Sequence, residues 1–291
     1  MSTASTPQRT QVASNLEMPA RTLAEIDLAP GHKLGLIVQH PLLLSPMAAG
    51  FGDMLPPALA LASIGAIVVG PVSADGRGYT GPATLVELDG GVLVRDTGFS
   101  RSARRAVARY SATWERLGCP VIVHLVDAAP ADLARSVRHL THAPGVAGVE
   151  WNVPSSATPT LVSDGVRALA QHCDAPIWVK LPLHNAASLA ERAVAAGAVG
   201  VVVGQPPQGA AVHTEPATGK AALITGALHG PASFAAMVRV LHETANAQLG
   251  CALLACGGVH HQAHLQQALA AGAHAVQIDS ALWRERALGV E

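Results

Sequence analysis

Gly148-Val-Glu-Trp-Asn-Val-Pro-Ser-Ser156 carries an apolar run onto an asparagine, and three residues further a serine stands in a loop stiffened by Pro154. A run of this kind reads as a buried strand. Its exit then places two hydrogen-bonding side chains, Asn152 and Ser155, at the strand's C-terminal end, and such a position is the edge of an active site. The alternative reading is a plain turn, Pro154-Ser155-Ser156, leading into a helix capped by Thr158 and begun by Pro159.

The same pattern recurs on both sides of this stretch. Strand-like runs at Leu42–Ser45, Ala66–Val69, Val121–Leu125, Val146–Val153, Ile177–Leu181, Gly200–Val203, Ala252–Cys256 and Ala275–Ile278 are separated by helix-like segments. Strands apolar on both faces and joined by helices imply parallel order with right-handed crossovers. Eight such units predict an α/β fold, a closed (β/α)8 TIM barrel. Helix boundaries follow from Asp53 before Met54–Ser63, from Ser100 or Ser102 before Ala103–Leu117, and from helix-ending glycines at 118, 197 and 272. Ahead of the barrel, His32–Ser45 gives two β-rich runs around Gln39–Pro41, an N-terminal β-hairpin whose second run becomes the first barrel strand. Residues 1–20, rich in Ser, Thr and Pro, predict a disordered tail, and 21–291 a single domain. Two connections exceed the usual length of about 2–6 residues: Pro71–Phe99 and Gly204–Pro231. Both leave strand C-termini and predict a lid and wall over the mouth.

Composition narrows the function classes. Nineteen basic against 20 acidic residues give a net charge of −1, no footprint for nucleic acid or an anionic membrane. The longest apolar stretch, Leu59–Val72, is broken by Ser63, Gly65, Gly70 and Pro71, so no membrane span is expected. Four cysteines without paired spacing predict reduced thiols and a cytoplasmic location. His124, His184, His229, His260 and His261 follow strand ends, but without H-x-H or H-E-x-x-H spacing no metal site is expected. These features leave a small-molecule substrate as the expected partner.

Several stretches in register resemble one family. The opening Leu34-Gly-Leu36, His40-Pro-Leu-Leu-Leu-Ser-Pro-Met-Ala-Ala-Gly50 and Phe51-Gly52, then Gly148–Ser156, Trp178-Val-Lys-Leu181, Gly226–Pro231, Cys256-Gly-Gly-Val259 and Gln277-Ile-Asp-Ser280 are similar to the hairpin, flavin loops, catalytic loop and phosphate loops of FMN-dependent dihydroorotate dehydrogenases. The resemblance spans roughly Ile26–Trp283. It implies an FMN oxidoreductase of pyrimidine biosynthesis acting on dihydroorotate or a similar small cyclic substrate, in a homodimer. It further implies Ser155 as the base and Lys180 as the residue beside the reduced flavin. Ala48, Ala49, Gly50, Asn152, Lys180, Gly226, Gly257, Gly258 and Ser280 are then the cofactor-binding set. Alternation along Ile177–Leu181 independently puts Trp178 and Lys180 on one face, where the ammonium needs an anionic partner, either a reduced flavin or a neighbouring carboxylate. Gly257-Gly258 after a strand suits a phosphate cradle or a tight turn.

The chain departs from the family at four places. Gly70 stands where the family has a lysine, His124 and Gly204 where it has asparagines, and Asp279-Ser280 where a small phosphate-contacting pair belongs. Arg77, Arg95 and Arg101 in the second-strand loop read as solvated surface residues or as cations that neutralise a bound anion, the surface reading being favoured. A serine base resembles the quinone-linked class, whereas the lack of an N-terminal membrane helix resembles the soluble classes. A flavin-free barrel paralogue, acting as a binding or assembly subunit, is the competing reading. Another barrel enzyme, such as a nitronate monooxygenase-like flavoprotein or a phosphate-binding lyase, fits the hairpin and the Asn152-to-Ser155 spacing less well.

Overall fold

The computed structural model describes residues 25–55, 61–81, 83–95, 98–214 and 218–283. Apolar, largely β-branched runs bounded by glycines become eight parallel strands: β3 (Leu42–Leu44), β4 (Ala66–Ser73), β8 (Val121–Leu125), β9 (Val146–Asn152), β10 (Ile177–Pro182), β11 (Gly200–Gln205), β14 (Ala252–Cys256) and β15 (Ala275–Ile278). They pair in chain order, and β15 closes on β3 through Val276↔Leu42 and Ile278↔Leu44. The eight-stranded barrel is therefore closed. All eight expected strands are present.

Strand alternation sorts the core into two layers. Val121, Val149, Trp151, Val179, Val201, Leu253 and Val276 face the helices, in the larger apolar cluster. Leu43, Val68, Ile122, Trp178, Val202 and Leu254 fill the barrel's interior. The outer layer is completed by α1 (Pro46–Ala49), α2 (Ala103–Arg116), α3 (Pro130–Arg138), α4 (Pro159–Ala170), α5 (Ala186–Ala195), α6 (Phe234–Asn246) and α7 (Gln262–Ala270). Thr158 caps α4 as its sequence predicts, its hydroxyl accepting from the Leu161 amide at 3.2 Å. Ser102 occupies the N-cap of α2 without a side-chain capping bond.

The packing of α4 on β9 supplies a test. A methyl group built on Gly165 would lie 2.3 Å from the Trp151 ring, so Gly165→Ala is overpacking in a sealed layer. It is expected to lower the unfolding free energy by about 1–3 kcal/mol, read as a lower denaturant midpoint at unchanged slope.

Three expectations need correction. The hairpin is β1 (Ile26–Asp27) paired antiparallel with β2 (Ile37–Val38), not two runs around Gln39–Pro41. Its loop residues Leu28 and Leu36 join the interior cluster, and Trp178 Nε1 donates to the Leu28 carbonyl at 2.8 Å, so the hairpin plugs the barrel's N-terminal end. Of the helix expected over Met54–Ser63, residues 56–60 lie outside the described ones; Met54 and Leu55 are not helical, Leu61–Ser63 form a 3-10 turn, and the Asp53 carboxylate accepts from the Phe51 amide instead of capping that stretch. The two long connections are not separate loops. One forms β5 (Thr84–Leu88) and β6 (Gly91–Arg95), the other β12 (Gln208–Thr214) and β13 (Ala221–His229), and together they make one antiparallel sheet in the order β12-β13-β6-β5. Val86, Leu93 and Ile224 form its own small core. The expected tail, residues 1–20, lies outside the described residues.

Candidate functional site

Toward the mouth the barrel interior turns polar. His124, Glu150, Lys180, Cys256 and Gln277 alternate with the outward-facing apolar residues of their strands, and all five are buried. Lys180 Nζ donates to Gln277 Oε1 at 2.9 Å and lies 3.9 Å from Glu150 Oε1. Gln277 Nε2 donates to the other Glu150 oxygen, and His124 Nδ1 donates to Oε1 at 2.7 Å. Glu150 is thus surrounded by donors. Burial alone would raise its pKa; the Lys180 charge and the His124 hydrogen bond outweigh this and hold it down to about 2. Burial likewise works against the Lys180 charge, but the facing Cys256 and Glu150 keep its pKa above the ordinary lysine value.

The anionic partner demanded by Lys180 is therefore a carboxylate from the neighbouring strand. The register Trp178↔Glu150 and Lys180↔Asn152 sets the two side by side. Glu150 was not among the expected site residues. Its signal was a lone charge inside an apolar run, on the same strand face as Asn152 and beside a strand carrying a lone charge of opposite sign.

Asn152 ends β9, half-buried, and Ser155 stands exposed in the loop that follows. This loop is tied down. Gln205 Nε2 donates to the carbonyls of Val153 and Lys180 at 2.6 and 2.8 Å, and His184 Nε2 is 3.0 Å from the Ser155 carbonyl, to which it donates. Ala48 and Ala49 are buried in α1 and Gly50 ends it with φ +59°. Gly70, with φ +146°, has no room for a side chain: a Cβ there would lie 2.9 Å from the His124 carbonyl.

A cleft runs between the ends of β11, β13, β14 and β15, bordered by Gly204, Gly230, Gly257, Gly258, Gln277, Asp279 and Ser280. Gly257 and Gly258 have φ of +111° and +74°, and a Cβ on Gly258 would strike the Phe234 amide nitrogen at 2.5 Å, so bare backbone is required there. Gly226 does not belong to this cleft. The loop expected from Gly226 is strand as far as His229, and Gly226 pairs with Gly209 in the accessory sheet with the β6 backbone packed against its α-carbon. Gly230 is the glycine of that stretch which reaches the cleft.

The cleft is already furnished with side chains. Asp279, its carboxylate side chain 14% exposed, faces His229 Nδ1 at 3.1 Å and accepts from Trp283 Nε1 at 3.2 Å. Burial pushes its pKa up, but the His229 contact prevails and the net shift is downward, so at neutral pH it is a carboxylate. His229 in turn packs on the Trp283 ring, centroids 4.8 Å apart. Ser280 Oγ is 2.9 Å from His260 Nε2. Among the described residues no lysine or arginine borders the cleft, and no group of three or more His, Cys, Asp or Glu converges as a metal site. All four cysteines are free thiols. No helix of the described residues is long and apolar enough to cross a membrane.

No protein-family model matches the sequence. Curated relatives are nevertheless found at low identity. The chain is 25% identical over 263 residues to the catalytic subunit of dihydroorotate dehydrogenase B (NAD(+)) from Desulforudis audaxviator, covering 85% of this chain and 84% of that protein. The equivalent subunits of Bacillus thuringiensis and Bacillus cereus are each 24% identical, with the same shares of both chains covered. Likeness over this much of the chain, together with a closed eight-stranded barrel bearing an N-terminal hairpin, makes the protein similar, at low identity, to the dihydroorotate dehydrogenases.

Proposed function

We propose that this barrel is a dihydroorotate dehydrogenase-like oxidoreductase that takes two electrons from dihydroorotate or a similar small cyclic amide or imide, with a flavin as acceptor. Its distant relatives support the class of activity. The observation that carries the finer reading is the gathering of Asn152, the Ser155 loop and Lys180 on adjacent strands at the C-terminal mouth, the face on which barrels of this kind do chemistry.

The family's cofactor is FMN, and the residues present fit it at one end only. The α1 residues Ala48, Ala49 and Gly50 are small, and Asn152, paired with Lys180 across β9 and β10, offers an amide at the edge of the mouth. At the other end the bare amides of Gly257 and Gly258 would suit a phosphate, but the Asp279 carboxylate stands in the same cleft. A bound flavin supplies the two-electron acceptor; the remaining roles belong to the chain. Asn152 orients the substrate by hydrogen bonds. Ser155 takes the proton from the carbon beside the carbonyl, and His184, held against the same residue's carbonyl, is the imidazole placed to pass it on. Lys180, fixed by Glu150 and Gln277, keeps a positive charge at the mouth, where charge develops on the acceptor.

The visible spectrum of protein purified from flavin-rich medium tests this reading. Yellow protein that bleaches anaerobically with dihydroorotate supports it. Colourless protein that takes up no added flavin favours the second reading, a flavin-free paralogue acting as a binding or assembly subunit; the pairings Asp279–His229 and Glu150–Lys180, which satisfy the site from within, argue on that side.

A homodimer is also proposed. Val212 and Leu223 lie opposite each other on β12 and β13, both 68% exposed, an apolar patch suited to a second copy. Sedimentation is expected to show a dimer that Val212→Asp converts to monomer; wild-type protein that is monomeric at micromolar concentration counts against it.

A further inference from the structure

Between α2 and α3 lies an open groove of about 470 Å³ that shares no residue with the site at the mouth. One wall is the first turn of α2, which carries Arg104 and Arg105; the other is the last turn of α3, which carries Arg135 and Arg138. This is a dense gathering of cations for a chain whose net charge is −1. Only Arg135 is neutralised. It donates to both oxygens of Asp75 at 3.0 and 2.8 Å and to Asp132 at 2.8 Å. Arg104, Arg105 and Arg138 have no carboxylate within ion-pairing distance among the described residues; Arg138 faces a ring nitrogen instead, His172 Nε2 at 3.1 Å. The position of the first two sharpens the imbalance. A helix N-terminus carries partial positive charge and is stabilised by acidic side chains or a cap. α2 has no acidic residue in its first turn, and Ser102 at its N-cap, which also borders the groove, makes no side-chain capping bond. Two arginines there add positive charge to the end of the helix least suited to it. Such a break of a local rule, with no compensation inside the chain, marks a functional position, and what is missing here is negative charge.

We infer that this groove binds a chain of two or three linked phosphates, either free or carried by a nucleotide. The chemistry of the walls selects that class. Guanidinium forks match phosphate oxygens in pairs, and cations standing on both walls call for more than one anionic group between them. A single phosphate would leave part of that charge unmatched. Ala74 is the one apolar residue of the lining, and no phenyl, phenol or indole ring borders it, so an acyl chain or other apolar ligand finds nothing to bury against. Asp75 stands in the lining too, and its bidentate pairing with Arg135 keeps its charge from opposing the ligand.

Calorimetric titration of the purified full-length protein in about 0.1 M salt, without divalent metal, tests this with tripolyphosphate, ATP, orthophosphate and a hexaglutamate peptide as probes. Tripolyphosphate and ATP are expected to bind, each roughly tenfold or more tighter than orthophosphate, and to weaken as salt is raised. Similar affinities for the two identify the phosphate chain as all that is recognised; ATP binding tighter by a further factor of roughly ten assigns the source to a nucleotide. Both outcomes support the inference. Arg104→Ala combined with Arg105→Ala is expected to weaken tripolyphosphate by roughly tenfold or more, whereas Arg109→Ala, on the same helix outside the groove, leaves it unchanged. The double variant should melt no lower than wild type without ligand, because it relieves the N-terminus of α2, and should lose the rise in melting temperature that tripolyphosphate gives the wild type. Tripolyphosphate binding no tighter than orthophosphate overturns the inference. So does an Arg109→Ala loss equal to that of the double variant, which would reduce the effect to general surface charge. Hexaglutamate binding as tightly as tripolyphosphate also overturns it, since the groove would then be a surface for an acidic protein segment. None of these results bears on the flavin reading.

Discussion

Lys180→Met is expected to lower the unfolding free energy by about 3–5 kcal/mol, the usual cost of removing one partner from a buried ion pair. The magnitude follows from what is left behind. Glu150, 1% exposed, would keep the Gln277 and His124 hydrogen bonds but lose the charge that compensates its own. Removing both charges should cost much less than the single changes suggest, so Lys180→Met with Glu150→Leu is expected to recover part of the loss. Urea unfolding of the two singles and the double gives the coupling directly. If the single changes simply add, the pair is not an energetic unit. The pH dependence has a definite sign. The Glu150 pKa in the folded protein, about 2, lies below the unfolded value of about 4.3. Its contribution is therefore complete above about pH 4.3 and is lost as pH falls through about 2. Stability of the wild-type protein should drop over that window, and Glu150→Gln should flatten the drop.

The barrel was legible because its strands are self-announcing. Runs such as Val121-Ile-Val-His-Leu125 and Ala252-Leu-Leu-Ala-Cys256 are apolar on both faces, which only a strand covered by helices outside and packed inside can satisfy. The accessory sheet was not legible for the opposite reason. Its strands, Thr84-Leu-Val-Glu-Leu88 and Gln208-Gly-Ala-Ala-Val-His-Thr214, bury one face only, and β6 pairs with β13 from a connection four barrel strands further along the chain. Periodicity within one connection says nothing about a partner so remote.

The site divides in the same way. Lys180 and Asn152 stand out in the sequence because each breaks an apolar strand near its C-terminal end. Glu150 breaks the same strand two residues earlier and was passed over, although period-two alternation puts it on the face of Asn152 and next to Lys180. Asp279 was visible as a departure, but its direction was not, because that depends on His229 and Trp283, which only the folded chain brings to it. Gly226 was misplaced by one strand end: the turn glycine is Gly230, and four residues of register separate a phosphate loop from the middle of a sheet.

The remaining large effect concerns the proton. Ser155 stands exposed in a loop pinned by Gln205 and His184, so its backbone is fixed while its hydroxyl is open to whatever occupies the mouth. If it is the base of the proposed oxidation, Ser155→Ala should slow anaerobic bleaching by substrate about 10²- to 10⁴-fold, the usual contribution of a positioned acid or base. Flavin affinity should not change, because the loop's position is set by backbone contacts that alanine keeps. Ser155→Cys is the informative companion. A thiol with an ordinary pKa of about 8.5 becomes a stronger base as it ionises, so its bleaching rate should climb between neutral pH and about pH 9 more steeply than that of the serine protein. His184→Ala removes the imidazole from the Ser155 carbonyl and should slow bleaching while loosening the loop. A Ser155→Ala protein that bleaches at the wild-type rate removes Ser155 from the chemistry. Pro154, Ser155 and Ser156 would then be the turn into the Thr158 cap and no more, with the proton left to another group at the mouth.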